Sequence, residues 1–205
     1  MIAVERKLGI PRSTLSGWFK DIKLSKKQKK RLSNNKLMAL SKARKNAVLW
    51  HNAQKTKRLE QASQQAQQML QHIQKNNKYI LELALAILYM AEGRKTADMT
   101  SLGSSDVRIL KFYLGALRKL FKIDETRLRC SLFLRADQQS LTLKRFWSRQ
   151  LNVPLKNFIQ IQKDKRTIGI KTYSHYKGVC AVTYSDISIK RRLVAIAEEY
   201  FTSFD

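Results

Sequence analysis

The most apolar run of this chain, YILELALAILYMA at residues 79–91, ends on an acid, a glycine and two cations, Glu92-Gly93-Arg94-Lys95. Only Glu82 interrupts the run. It is too short and too polar at its flanks to span a bilayer, so it reads as a buried helix. Its C-terminal tip would then carry a carboxylate. The partial negative charge at a helix C-terminus disfavours an acid unless a cation or a metal sits nearby. Glu92 is therefore the first candidate for metal-assisted chemistry, and the competing reading is a core helix that ends on a solvated glutamate. Other chemistries lack their residues. His51, His72 and His175 are far apart and have no cysteine or acid at metal-ligand spacing. There is no phosphate-cradling glycine loop, no dinucleotide glycine pattern and no serine elbow.

Residues 85–93, LAILYMAEG, resemble the LAGLIDADG motif of homing endonucleases and their regulatory relatives. Leu85, Ala86, Leu88, Ala91 and Gly93 match, and Glu92 stands where the motif has its second acid. The resemblance implies that this helix packs against a partner copy across a two-fold or pseudo-two-fold axis. It also implies that Glu92 helps hold a divalent metal, Mg2+, over the scissile phosphates if the chain is a nuclease. Two positions depart: Ile87 replaces the glycine that lets the helices approach closely, and Met90 replaces the first acid.

Charge narrows the partner. Forty-one Lys and Arg against 15 Asp and Glu leave a formal charge of +26 on 205 residues. So large an excess of one sign repels itself in a compact state and points to a polyanion, nucleic acid rather than membrane. No signal peptide and no transmembrane run is legible. Cys130 and Cys180 lie in alternating strand-like runs and read as reduced core residues. The expectation is a cytoplasmic protein, nucleoid-associated if the source is bacterial.

Three segments are expected. In residues 1–24, Ile2, Ala3 and Leu8 form one helical face, Gly9 a turn and Pro11 a helix start, with Leu15 and Trp18 as a second inward face. Arg12, Ser13, Thr14, Ser16, Gly17 and Lys20 are then turned outward. Helix, glycine turn and helix at this spacing resemble a helix-turn-helix, whose second helix reads base edges in a major groove. Only Met1 precedes the motif, so a first helix either lies upstream or is replaced by the long helix that follows. Residues 25–78, free of glycine and proline, form that long helix, opened by a capping box of Ser25 and Gln28. KKQKKR and KARK mark its first half, with Lys27 and Lys30 as phosphate contacts. The apolar spacing of Ala62, Ala66, Met69, Leu70 and Ile73 suits a coiled coil or a helix docked on the next domain. Residues 1–80 hold 19 basic and 3 acidic residues, so the basic excess is densest here.

Residues 79–205 read as an α+β domain, LAGLIDADG-like by resemblance, of helices on an antiparallel sheet. Strands are expected at 99–103, 127–135, 158–163, 168–172 and 179–184, and helices at 106–121, 138–150 and 186–201. Asp106 caps the first of these helices or sits in its first turn rather than binding metal, and Phe146 and Trp147 face inward on the second. The alternation of 127–135 leaves Arg127, Arg129, Ser131, Phe133 and Arg135 on the open face. These arginines are expected DNA contacts, and the resemblance implies that Lys163, Lys165, Arg166 and Lys171, on or between the later strands, contact phosphates as well. Two functions follow. One is a sequence-specific regulator that binds double-stranded DNA, uses the second domain as a docking surface and needs no cofactor. The other is a Mg2+-dependent endonuclease acting as a homodimer. RNA stays open as a partner.

Overall fold

The computed structural model describes residues 2–74, 77–96 and 98–204, and the chain divides into two compact units after His72. It is α+β, with a long helix in the first unit and a four-stranded sheet in the second.

In the first unit, α1 (Ile2–Leu8) and α2 (Arg12–Trp18) are joined by a turn in which Gly9 takes φ +68°. That left-handed conformation costs glycine little. Leu15 is the one buried side chain among described residues 2–74, and Val4 and Ile10 are half-buried. Two sequence expectations fail here. Trp18 is 64% exposed rather than inward, and Ile2, Ala3 and Leu8 also face solvent. Two seven-residue helices are too short to enclose more than one large side chain between them. An ion pair from Arg12 to Glu5 at 2.9 Å ties the two helices.

α3 (Lys26–Gln71) is 46 residues long, roughly 70 Å at 1.5 Å per residue. Ser25 and Gln28 form the expected capping box. The helix stops at His72 instead of running to residue 78, and Asn77 opens a new helix by accepting from the Tyr79 and Ile80 amides. Residues 75–76 lie outside the described residues.

The second unit orders its strands β1-β4-β2-β3, where β1 is Thr100–Ser104, β2 Leu128–Arg135, β3 Phe158–Asp164 and β4 Val179–Tyr184. β4 runs antiparallel to β1 and β2, but β3 runs parallel to β2, so the sheet is mixed and not antiparallel throughout. The cause is α6 (Ser140–Leu151), which carries the chain back across the sheet before β3 begins, as a parallel pair requires. The strand expected at 168–172 is absent. Asp164 caps a tight turn through Thr167, Gly169 takes φ +79°, and Asp137 holds Thr172 by two bonds.

α4 (Lys78–Glu92), α5 (Val107–Phe121), α6 and α7 (Ile187–Thr202) surround one core with the sheet. Leu102, Leu128, Cys130, Leu132, Cys180 and Val182 supply the sheet side of that core, and Leu85, Tyr89, Leu114, Trp147 and Leu193 the helix side. β1 and β4 each end in a Ser-Asp pair, and Asp106 and Asp186 cap the helices that follow, α5 and α7. Cys130 and Cys180 are buried and unbridged, as expected. A hydrogen bond with Cys130, and then burial, push the Cys180 thiol up, which keeps it protonated. No helix among the described residues is long and apolar enough to cross a membrane.

Candidate nucleic-acid interface

The tip of α4 is held by a tyrosine. Tyr89 is wholly buried, its hydroxyl donates to Arg94 O at 2.9 Å, and the Ser101 amide donates back to it at 3.4 Å. Arg94 N bonds Ser101 O at 2.9 Å, and Gly93 bridges to Leu102. A Cβ on Gly93 would stand 2.4 Å from Tyr89 O and 2.7 Å from the Tyr89 ring. The glycine of the motif is thus required by its own chain's packing. Leu85 and Ala86 are wholly buried in that same core, while Leu88 is half-buried and Ala91 exposed. Glu92 is exposed, and no ion pair to it is found among the described residues.

Sequence alone did not show which side of this helix is free. Ile80, Ala84, Ile87 and Ala91, spaced by four, three and four residues, form an exposed apolar stripe that leads to Glu92. The run is apolar on all sides, so its periodicity could not separate the buried stripe from the open one. Opposite this stripe, Glu82 is tied to Arg192 of α7 by bonds of 2.6 and 3.1 Å.

The sheet has an open face. By register it carries Ser101 and Gly103, Ala181 and Thr183, Arg129, Ser131, Phe133 and Arg135, and Gln160 and Gln162. Arg127, expected on the strand, falls instead in the tight turn just before β2, and it differs from the strand arginines Arg129 and Arg135 in what it does. Arg127 lies over the Tyr184 ring at 5.2 Å and donates to Ser185 O. Arg129 curls back onto Thr126 O and Leu128 O. Arg135 has no hydrogen-bond acceptor for its enclosed Nε. Lys163 donates to Ala136 O at 3.1 Å, and Arg166 holds Asp164 at 2.9 and 3.0 Å. Lys165 and Lys171 are exposed. The basic residues expected at this surface are therefore half committed to the fold, and Arg135 keeps an enclosed Nε without an acceptor.

In the first unit Ser13, Thr14, Ser16 and Lys20 are exposed as expected, and Arg12 is exposed but paired with Glu5. Lys27 and Lys30 are exposed on α3. Every charged residue from 26 to 58 is lysine or arginine, whereas 59–71 contains Glu60 as its only charge. Lys26 and Lys30, and Lys27 and Arg31, are like-charged pairs at i, i+4, which destabilise a helix. Lys26 and Lys27 also crowd the positive end of the helix dipole, and the first turn has no acid to balance them. None of this helix is buried, so no packing compensates. Comparison with family models, with curated proteins and with solved structures gives no match.

Proposed function

We propose that the protein binds double-stranded DNA as a sequence-specific regulator, with α3 as its main phosphate-contacting element and α2 as the reader. The observation that carries this is α3 itself. A 46-residue helix with no buried residue, one sign of charge over residues 26–58 and lysines at the wrong end of its dipole is short of counter-charge at every level. A polyanion supplies it. The short polar groups of α2, Ser13, Thr14 and Ser16, suit close approach to base edges. The basic residues of the open sheet face and its margin, Arg135, Lys165 and Lys171, extend the contact to the second unit's own surface. A second copy of the chain is proposed as the partner of the α4 stripe, because Ile80, Ala84, Ile87 and Ala91 leave an apolar row in water.

One further reading is favoured by a specific feature. Glu92 is exposed at the end of that same stripe, so two chains crossing there would bring two carboxylates together, as a Mg2+-dependent endonuclease needs. Among the described residues no three His, Cys, Asp or Glu side chains gather, so no catalytic step is assigned.

One assay tests both. With about six to ten phosphate contacts, duplex affinity should fall by roughly a thousandfold or more between 50 and 200 mM salt. A flat salt profile would overturn DNA binding. With Mg2+ or Mn2+ added, wild type and Glu92→Gln should both bind and leave the duplex intact. Cutting by wild type that Glu92→Gln abolishes would establish the nuclease instead.

A further inference from the structure

Arg135 sits at the C-terminal end of β2, on the edge of a concavity of about 350 Å3. Phe133, Gln162, Lys163, Arg166 and Tyr176 line it with Arg135. Two features of this hollow ask for an explanation. The first is the guanidinium. A buried donor without an acceptor is costly, and folded proteins rarely leave one. Arg135 Nε is such a donor. The neighbouring carboxylates do not answer it. Asp164 is engaged by Arg166 and Asp137 by Thr172, and Arg135 acts on both only through its charge.

The second feature is how firmly the walls are built. Gln138 receives the Arg135 amide on Oε1 at 3.0 Å and donates Nε2 to Tyr176 O at 2.8 Å. Trp147 Nε1, from the middle of the core, donates to Lys177 O at 2.9 Å. Gly178, at φ +74°, presses against β2 so closely that a Cβ there would stand 2.5 Å from Leu134 and 2.8 Å from Phe133 O. On the other side Thr167 accepts from the Ala136 amide at 2.8 Å, and Lys163 bonds Ala136 O. A loop tied to the core at successive residues holds Tyr176 in place, and Arg135, with its unpartnered Nε, lies beside it.

We propose that this hollow is a binding site for one nucleotide unit, with its phosphate on Arg135 and its base against Phe133 and Tyr176. Three cations, Arg135, Lys163 and Arg166, face one carboxylate, Asp164, so the lining favours an anion. The planar fork of arginine matches a phosphate with two parallel bonds. Phe133, 41% exposed, offers a ring for stacking, and Gln162 offers an amide that can both donate and accept along a base edge. The volume lies at the small end of ligand sites, which suits one nucleotide and not a duplex. The nucleotide can be free, or it can be the end or an extruded residue of a chain. The second source rests on the nucleic-acid reading above; the site itself does not.

The test uses the full chain and titration calorimetry with AMP, adenosine and inorganic phosphate. AMP should bind roughly tenfold or more tightly than either fragment, and Arg135→Met should cost roughly tenfold. Arg135→Lys, which keeps the charge and loses the fork, should also weaken AMP, and its circular dichroism should match wild type. Phe133→Leu should lower AMP affinity while leaving inorganic phosphate unchanged. Competition of AMP by a single strand with a 5′-phosphate, but not by the same strand without it, assigns the site to chain ends. Competition by neither assigns it to free nucleotide. The proposal is overturned if AMP does not bind, if AMP and inorganic phosphate bind alike, or if both Arg135 variants bind AMP as wild type does. Duplex affinity at low salt, measured on Phe133→Leu, should change less than about threefold. Loss of duplex binding in wild type would defeat the reading of α3 without touching the AMP result.

Discussion

Trp50 and Trp147 carry the same side chain in opposite circumstances. Trp147, on the inner face of α6, is wholly buried, touches Phe146 edge-on and donates its indole N–H to Lys177 O. Trp50 lies 59% exposed on α3, against His51 of its own helix. The two units differ in the same way. Residues from Ile73 onward fold because four helices close an apolar core over one face of a sheet. Residues up to His72 enclose Leu15 and otherwise rely on helix propensity, one capping box and what binds them. One unit is a scaffold that holds side chains at fixed places; the other is a charged rod. Trp147→Ala should cost about 3–5 kcal/mol, through a large cavity and a carbonyl left without its donor. Trp50→Ala should stay within about 0.5 kcal/mol, as surface changes do. Denaturant unfolding followed by circular dichroism measures both. Equal losses would show that α3 is packed against something as firmly as α6 is.

That contrast also separates what the sequence announced from what it withheld. Strand β2 was legible because Leu128, Cys130, Leu132 and Leu134 alternate with Arg129, Ser131, Phe133 and Arg135, and one face of the sheet is indeed covered. The caps at Ser25 and Asp106 were legible because capping is local chemistry between residues two and three apart. The direction of β3 was not, since pairing beside β2 depends on how α6 carries the chain, and no short spacing encodes that. Ile168 and Ile170 suggested a further strand, but both are exposed, at 70% and 55%, and no strand pairs with them. At the interface, exposure of Ser13, Thr14 and Ser16 followed from Leu15 turning inward. The separate fates of Arg127, Arg129 and Arg135 could not, because alternation assigns a face and says nothing of which carbonyl a guanidinium will reach. Tyr176 and Gln162 gave no signal at all, being brought to Arg135 only by the turn at Gly178 and the register of β3.

A single methyl sharpens the comparison with opposite signs. Gly93→Ala places a carbon 2.4 Å from Tyr89 O, a backbone atom that cannot swing aside. The bridge to Leu102 and the Tyr89 bonds must shift, at a cost of about 1–3 kcal/mol. Gly17→Ala, inside α2, meets nothing within 4 Å and replaces the poorest non-proline helix former with the best. It should stabilise α2 by about 0.4–1 kcal/mol. Helicity and unfolding midpoints of the two variants give the signs. Two losses would mean that the face of Gly17 is covered when the protein folds, and two gains that the contact at Gly93 relaxes freely.

The smallest expected effect is a matter of protons, and it too divides the units. The carboxylates of Asp106, Asp124, Asp137, Asp164 and Asp186 are all held below their ordinary value, and all lie in the second unit. Asp106 goes furthest, from 3.8 to about 2, chiefly because the Arg108 side chain bonds it and next because the Arg108 amide does. A carboxyl group that is more acidic folded than unfolded stabilises the fold above its unfolded value. It loses that contribution as pH falls toward its folded value. For Asp106 the window therefore runs from about 4 down to about 2. α3 is capped by Ser25, which does not titrate, so acid should loosen the start of α5 before it touches the start of α3. A carbon-detected carboxyl titration should place the Asp106 midpoint near 2, and Arg108→Ala should move it up toward the ordinary range. The amide of Arg108 is kept in that variant, so the midpoint should stop short of an uncapped aspartate. A wild-type midpoint already in the ordinary range would show that the Arg108 side chain spends its time in water, leaving the cap to its backbone bond alone.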